Sequence, residues 1–488
     1  MNALAMDLGG SSGKVFLGCY NGQTIEMKEI HRFHNEPVEE AGHLYWDIHG
    51  IYNNLLSGIQ KATKEGFASI GVDSFCNDYG LLDRNGELLS RVYMYRDHRT
   101  DYAQSIIDQH IPPFELYART GCQQARFNTL VQLAAQMESP DRTIVNSAHT
   151  LLLIPDLLNY YLCGEKVAEF TIASVSQLFN RIENKWDDRI FHAFNIPSDI
   201  FPQVVPLSTY LGSAKREILA KTGASKFSVC TVGHHDTASA VAAVPSREKK
   251  YAYISSGTWC LMGIVTDKMI TSELAFKNNF ANEGGVGGKN RFLKNIMGLW
   301  LIQECQRQFR EQGINTTFEE MDIEADEVVP FRSIINPDDP IFFQPGNMIR
   351  KIQDKCRETN QFIPITPAEI NRCIKESLAL AYRKTLMQIE EVAELKIPLV
   401  HIIGGGAKSD LLNQFAASAM GIPVLAGPYE AAATGNLCAQ FISSGELSGW
   451  NDARTVIRNS ITLKEYLPDQ KNEWDEAFGR YLKIAGEQ

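Results

Sequence analysis

Three short stretches of the chain combine glycine with small polar or acidic residues in patterns suited to phosphate and hydroxyl chemistry. The first is Asp7-Leu8-Gly9-Gly10-Ser11-Ser12-Gly13-Lys14, which follows an apolar run. A glycine turn after a strand offers backbone N–H groups with no side chains in the way, which suits a phosphate. Asp7, at the strand end, could hold Mg²⁺, mostly through water, because that ion dehydrates reluctantly. The spacing is neither G-x-x-x-x-G-K-[ST] nor a G-x-G-x-x-G that opens a helix. A purely structural turn fits these residues equally well. They also match G-x-S-x-G, the nucleophile elbow of serine hydrolases. That elbow needs a helix after it, whereas Val15-Phe16-Leu17-Gly18 reads as a strand. A hydrolase is therefore disfavoured.

The second stretch is Thr231-Val232-Gly233-His234-His235-Asp236-Thr237-Ala238-Ser239-Ala240. It places a carboxylate at the start of an alanine-rich helix. A carboxylate so placed can take a proton from a hydroxyl as that hydroxyl attacks phosphorus. The plainer alternative is a helix cap, in which Asp236 satisfies free N–H groups. Zinc is a poorer fit, since adjacent side chains rarely converge on one ion. The third stretch, Gly404-Gly405-Gly406-Ala407-Lys408-Ser409-Asp410, is a triple glycine between strand and helix. Such a junction lets a flat ring or ribose lie on the backbone, or simply makes a tight turn.

The elements that must carry these stretches alternate between strand and helix, which predicts an α/β protein. Ala3 to Met6 and Val15 to Tyr20 read as a hairpin closed by the first glycine turn. The device recurs at Tyr251-Ala252-Tyr253-Ile254, Ser255-Ser256-Gly257-Thr258 and Trp259 to Val265, which suggests an internal duplication. Ser69 to Asp73 reads as a buried strand, and Leu81 to Leu89 as a hairpin around Asn85-Gly86. In the second half, Pro367 to Lys384 and onward to Leu395 carries helical periodicity. Pro398 to Ile403 then reads as a strand, Ser409 to Met420 as a helix, and Ile422 to Leu425 as a strand. Val244-Pro245-Ser246-Arg247-Glu248-Lys249-Lys250 reads as a linker, giving domains over 1–244 and 245–488.

Composition narrows the function classes. The 488 residues are 44% apolar and 22% charged, as in an ordinary globular protein of two or three domains. A net charge of −11 repels nucleic acid and anionic membrane surfaces. No secretory signal or membrane span is expected. The ten scattered cysteines contain no C-x-x-C pair and predict reduced thiols in a cytoplasmic protein. Cys356 and Cys373 are close enough in sequence to meet across a local loop.

Taken together, Asp7 to Lys14, Ser255-Ser256-Gly257-Thr258-Trp259 and Gly404-Gly405-Gly406 resemble the nucleotide motifs of the FGGY carbohydrate kinases. Within that family the resemblance is closest to the branch that phosphorylates L-rhamnulose at O1. It extends along the chain through Tyr95-Arg96-Asp97, Phe127-Asn128-Thr129-Leu130, Asn282-Glu283-Gly284-Gly285 and Leu293 to Leu301. The resemblance implies an actin-like, ribonuclease-H-like fold of two similar domains around a deep cleft. It implies Mg²⁺ and ATP, a small sugar as the other partner, and a monomer or homodimer. Asp236 resembles the proton acceptor, with Asp7 and Asp236 near the metal. His235, Thr237 and Asn295 match sugar contacts. Gly10, Ser11, Ser12, Gly13, Lys14, Thr258, Gln303 and Gly405 match ATP-contacting positions.

One segment departs from the pattern. The rhamnulose-phosphorylating branch carries Trp-Gly-x-Asp after the strand ending at Asp73, where this chain has Phe75-Cys76-Asn77-Asp78. Asp78 is kept to accept sugar hydroxyls, while Cys76 adds a side chain where backbone would approach the sugar. L-Fuculose, L-xylulose, other ketoses and polyols stay open as substrates alongside L-rhamnulose.

Overall fold

The alternating apolar residues at the start of the chain pair as an antiparallel hairpin, Asn2–Leu8 with Ser12–Tyr20, placing Leu8 opposite Gly13 and Asn2 opposite Cys19. The structure is a computed structural model describing residues 1–486. It divides into two units. One comprises Met1–Pro245, Val265–Phe292 and Ala431–Ile461; the other comprises Ser246–Ile264, Leu293–Glu430 and the chain from Thr462 onward. Two stretches from the second half of the sequence thus belong to the first unit.

In the first unit a sheet runs Tyr210–Ser213, Ser228–Cys230, Ser69–Ser74, Asn2–Leu8, Ser12–Tyr20, Ile25–His34. Ser69–Ser74 lies parallel to the opening strand, in a register that sets Asp73 beside Asp7. Every residue of this strand is buried, as befits a central strand covered on both faces. Helix Ile48–Ala62 starts at Asp47, whose side chain accepts the Gly50 N–H. It buries Ile51, Leu55, Ile59 and Ala62 in the core formed with Leu4, Met6, Val15, Ile70 and Val72. Each such aliphatic residue contributes about 1.5–3 kcal/mol of transfer free energy.

Helix Ala431–Ser443 packs on the same sheet. Gln440 Nε2 donates to Leu4 O at 2.7 Å, and its Oε1 accepts from Ser69 Oγ at 2.7 Å. Asn436 Nδ2 donates to Gly71 O at 3.1 Å and to Asp73 Oδ2 at 2.5 Å. These amides satisfy buried groups that would otherwise cost about 1–3 kcal/mol each. The helix also lies against the short helix Asp236–Ala242. At that contact a Cβ on Gly435 would sit 1.8 Å from Ser239 O.

The second unit repeats the plan. Ala252–Ser256 pairs antiparallel with Trp259–Thr266 and parallel with Val400–Ile403. Val424–Ala426 follows in parallel and Lys464–Tyr466 in antiparallel. A hairpin first strand flanked by a parallel strand therefore occurs in both units, as the recurring glycine turn predicts. Helix Pro367–Val392 opens on a capping box between Thr366 and Glu369, with proline in its first turn. Helix Asp410–Met420 is capped by Ser409.

Leu81 to Leu89 closes the hairpin expected around Asn85-Gly86, with Leu89 N–H donating to Leu81 O and Asp83 N–H to Glu87 O, both at 2.9 Å. The Asp83 side chain accepts the N–H groups of Asn85 and Glu87 at 2.8 and 2.9 Å. The ladder partner of Tyr79–Leu82, however, is Thr150–Leu153, leaving one bridge, Leu82 to Leu88, across the turn.

Two outcomes follow from this packing. Gly435→Ala drives a methyl into backbone, so its cost is expected at or above the upper end of the ~1–3 kcal/mol range for overpacking. Gly479→Ala, on helix Lys471–Ile484 with open space at the Cβ position, is expected to be neutral or stabilising by about 0.5–1 kcal/mol. Chemical denaturation of both variants checks the contrast. Separately, His401 is 1% exposed with no partner on either ring nitrogen, and burial lowers its pKa to about 4. The folded state then binds fewer protons than the unfolded chain below pH 6.5. Its stability contribution is complete above that pH and is lost progressively down to pH 4, by about 3 kcal/mol. His401→Leu is expected to flatten that acid limb in a stability-against-pH series.

Candidate active site

The loop that precedes helix Asp236–Ala242 is fixed by buried hydrogen bonds. His234 O accepts the Ser74 N–H at 2.8 Å, and Gly233 O accepts from Ser239 Oγ at 2.7 Å. His234 is wholly buried, its Nδ1 at 2.7 Å from Asp156 and its Nε2 at 3.0 Å from Asn159. Both ring nitrogens are used, so the zinc reading has no open ligand there. His235 takes the cap position without a side-chain cap bond, and Asp236 is the first helical residue. Asp236 Oδ1 accepts the N–H of Thr237 at 2.5 Å and its hydroxyl at 3.1 Å. The Asp236 side chain keeps 29% of its surface exposed, which an occluded cap would not.

Asp236 belongs to a cluster of carboxylates. Asp7 and Asp73 are register partners on adjacent parallel strands. Asp73 is fully buried, and its pKa is pushed well above the carboxylate range by burial and then by the Asp7 charge; the Asn436 hydrogen bond opposes this, and the Asp236 charge adds to it. Asp73 Oδ1 has no protein partner. Burial likewise raises the Asp236 pKa, with His235 and the Thr237 hydrogen bonds working against it. Sequence reasoning missed Asp73, although it ends its strand as Asp7 ends the first.

The glycine turn beside Asp7 is held in shape from outside. Gly9 N–H donates to Ser12 O at 2.9 Å, and Asn35 donates through its backbone to Ser11 O and through Nδ2 to Gly9 O. Phe33 lies over Gly13, where a Cβ would come within 2.1 Å of the ring. Ser11 is exposed, Ser12 opens a strand, and Lys14 lies on that strand. No helix follows the turn, which removes the hydrolase elbow.

Phe75 stacks on Trp46 with ring centroids 4.5 Å apart, and Asn77 adopts φ +78°. Cys76 lies against His235; burial raises the thiol pKa and the imidazole opposes that rise. Asp78 sits one layer back. It is 1% exposed, with Oδ2 accepting from Trp46 Nε1 at 2.6 Å and Tyr95 N–H at 3.0 Å, and Oδ1 accepting from Gln132 Nε2 at 2.8 Å. Burial raises its pKa to about 7.

Two further residues, given no role in the sequence reading, meet His235. Glu283 and Arg291 form a buried pair at 2.9 Å, and each lies 3.2 Å from His235 Nδ1. Burial disfavours charge on the imidazole, but Cys76 and Glu283 raise its pKa to about 10. The Asn282-Glu283-Gly284-Gly285 stretch was visible as a motif; nothing in its spacing showed that it reaches His235.

In the second unit the glycine-serine hairpin and the triple glycine meet. A Cβ on Gly406 would fall 2.0 Å from Ser256 Oγ, whereas Gly405 has open space at that position. Gly404 adopts φ +83° and donates to Pro428 O. Thr258 Oγ1 donates to Gln303 Oε1 at 3.4 Å, and the helix beginning at Trp300 donates back to the turn through the N–H groups of Leu299 and Trp300. Asn295, on strand Asn290–Met297, has a buried Oδ1 with no protein partner. Cys356 and Cys373 are buried neighbours, both free thiols.

A pair of sugar-kinase domain models covers nearly all of this architecture. Residues 2–243 match the N-terminal domain of the FGGY family of carbohydrate kinases, and residues 252–444 match its C-terminal domain. The chain belongs to the FGGY family of carbohydrate kinases. Among its relatives, a rhamnulokinase of Bacteroides thetaiotaomicron is 40% identical over 479 residues, 98% of each chain. One from Bacillus subtilis is 38% identical over 466 residues, 95% of each. In fold it resembles a ligand-bound xylulose kinase from Lactobacillus acidophilus, with a TM-score of 0.81 at 15% identity over 99% of this chain and 98% of that one. A glycerol kinase from Plasmodium falciparum with ADP gives 0.76 at 15% identity, over 99% and 98%. The chain is an ATP-dependent phosphotransferase with an alcohol group as acceptor. Among the described residues no helix is long and apolar enough to cross a membrane.

Proposed function

We propose that this kinase transfers the γ-phosphoryl group of ATP to the primary O1 hydroxyl of L-rhamnulose, giving L-rhamnulose 1-phosphate, a step of L-rhamnose catabolism. The near-full-length similarity to rhamnulokinases supports the substrate. The observation that carries the chemistry is Asp236, a partly exposed carboxylate fixed beside His235 at a helix start. As the O1 oxygen attacks phosphorus, Asp236 accepts its proton and the bond from the γ-phosphorus to the ADP oxygen breaks. His235, Thr237, Cys76 and Asn295 contact the sugar. Asp78, its oxygens occupied by protein donors, braces the wall behind Cys76. Gly10 to Lys14, Thr258, Gln303 and Gly405 contact ATP. The base and most of the sugar contacts belong to 1–244, while Asn295, Thr258, Gln303 and Gly405 belong to 245–488. The ten free thiols support a reducing, cytoplasmic setting.

The donor chemistry suits Mg²⁺: Asp7, Asp73 and Asp236 each bring carboxylate oxygens, and the orphaned Asp73 Oδ1 calls for a cation or donor. These residues would hold the ion, which supplies neutralisation of phosphate charge when bound. Cys76 favours a second reading, another ketose or polyol, since its side chain occupies space beside His235.

An ADP-release assay over L-rhamnulose, L-fuculose, L-xylulose and glycerol tests the substrate. Turnover highest with L-rhamnulose supports the proposal; turnover indifferent to added sugar defeats it. Asp236→Asn is expected to lower kcat by about 10²–10⁴ while both substrates still bind by calorimetry; near-normal kcat would remove Asp236 from its role. Cys76→Gly is expected to change the relative kcat/KM among sugars with ATP KM within twofold, and equal effects on both would take Cys76 out of the sugar pocket.

A further inference from the structure

His235 Nδ1 is wholly committed within the protein. Glu283 Oε2 lies 3.2 Å from it and Arg291 Nη2 lies 3.2 Å from it, while the two partners are 2.9 Å apart. Arg291 is anchored in turn, its Nε donating to Gly284 O at 2.9 Å. Gly284 N–H donates to Ser174 Oγ at 2.7 Å, and His235 N–H to Thr171 Oγ1 at 3.3 Å. Arg291 and Glu283 are 1% and 7% exposed and His235 is 4% exposed. A carboxylate only accepts and a guanidinium only donates. With Nδ1 set 3.2 Å from each member of the buried Glu283–Arg291 pair, turning the ring away would strip both buried charges of a neighbour. The other nitrogen, Nε2, points the opposite way, 3.6 Å from Asp236 Oδ1.

We infer that Glu283 and Arg291 are positioning residues for the sugar, acting through His235: they fix its ring so that Nε2 is presented beside Asp236. This rests on the reading that His235 faces the sugar. A donor held in place before binding loses no rotamer freedom when the substrate arrives, so the clamp acts on sugar affinity and orientation, not on the nucleotide. Neither residue touches the reacting atoms. Both come from the Val265–Phe292 stretch, which lies in the second half of the sequence but belongs to the first unit.

The experiment is a double-mutant cycle in the full-length enzyme with L-rhamnulose and ATP, reading the sugar KM, the ATP KM, kcat and the thermal midpoint. Glu283→Gln, which is isosteric, and His235→Ala are each expected to raise the sugar KM about 10- to 100-fold with ATP KM within twofold. The double variant should be no worse than His235→Ala alone, because Glu283 acts only through that ring. Glu283→Asp, which keeps the charge, should recover part of the loss, and Arg291→Lys should not, since lysine lacks the fork. If the two single effects multiply, or Glu283→Gln leaves sugar KM unchanged while His235→Ala raises it, the clamp is wrong and the site reading survives. If His235→Ala itself leaves sugar KM unchanged, the site reading fails and takes the clamp with it.

Discussion

Three carboxylates at the ends of adjacent elements repel one another, and much of the first unit is arranged around that fact. Asp7 and Asp73 are neighbours by strand register, and Asp236 acts on Asp73 as well. The fold offsets this in three ways. Asp73, fully buried, moves toward its neutral form; Asn436 donates to its Oδ2; and the charge-bearing His235 stands next to Asp236. The second explains why a helix from Ala431 onward belongs to the first unit: its buried Asn436 and Gln440 close the polar ends of the central strands.

The same sheet positions the glycine turn. A strand that ends in Asp7 passes directly into the glycine turn, so acid and N–H groups share one strand end. The second unit reuses the hairpin at Ser256 to Trp259, with the triple glycine packed on Ser256. One strand–turn–strand solution, used twice, serves both units, and the tight contacts at Gly13 and Gly406 explain why these turns need glycine.

Much of this was legible in the sequence. The hairpins, the long helix from Pro367, the helix from about Ser409 and the strand reaching Asp73 each announce themselves through periodicity or turn chemistry. The local pattern also marked Asp236 and His235. What could not be read was convergence over long sequence separations. Asp73 looked like the end of a buried strand because its partner Asp7 comes from a register that no local signal encodes. Glu283 and Arg291 lay in a motif without a visible purpose until the fold carried them to His235. Asp78 read as a sugar contact through the resemblance to the Trp-Gly-x-Asp pattern; its three protein donors come from Trp46, Tyr95 and Gln132, which no local pattern ties to it. Leu81 to Leu89 closes its turn as the local signal predicts, while the pairing of Tyr79–Leu82 with Thr150–Leu153 is another long-range match that no local signal encodes.

The central claim is that Asp236 receives the proton of the attacked hydroxyl. A crystal structure with L-rhamnulose and a non-hydrolysable ATP analogue measures it directly. The account expects the O1 oxygen within about 2.6–3.2 Å of an Asp236 carboxylate oxygen, with the γ-phosphate on its far side. A sugar bound with O1 turned away from Asp236, and another carboxylate in contact with it, would contradict the account.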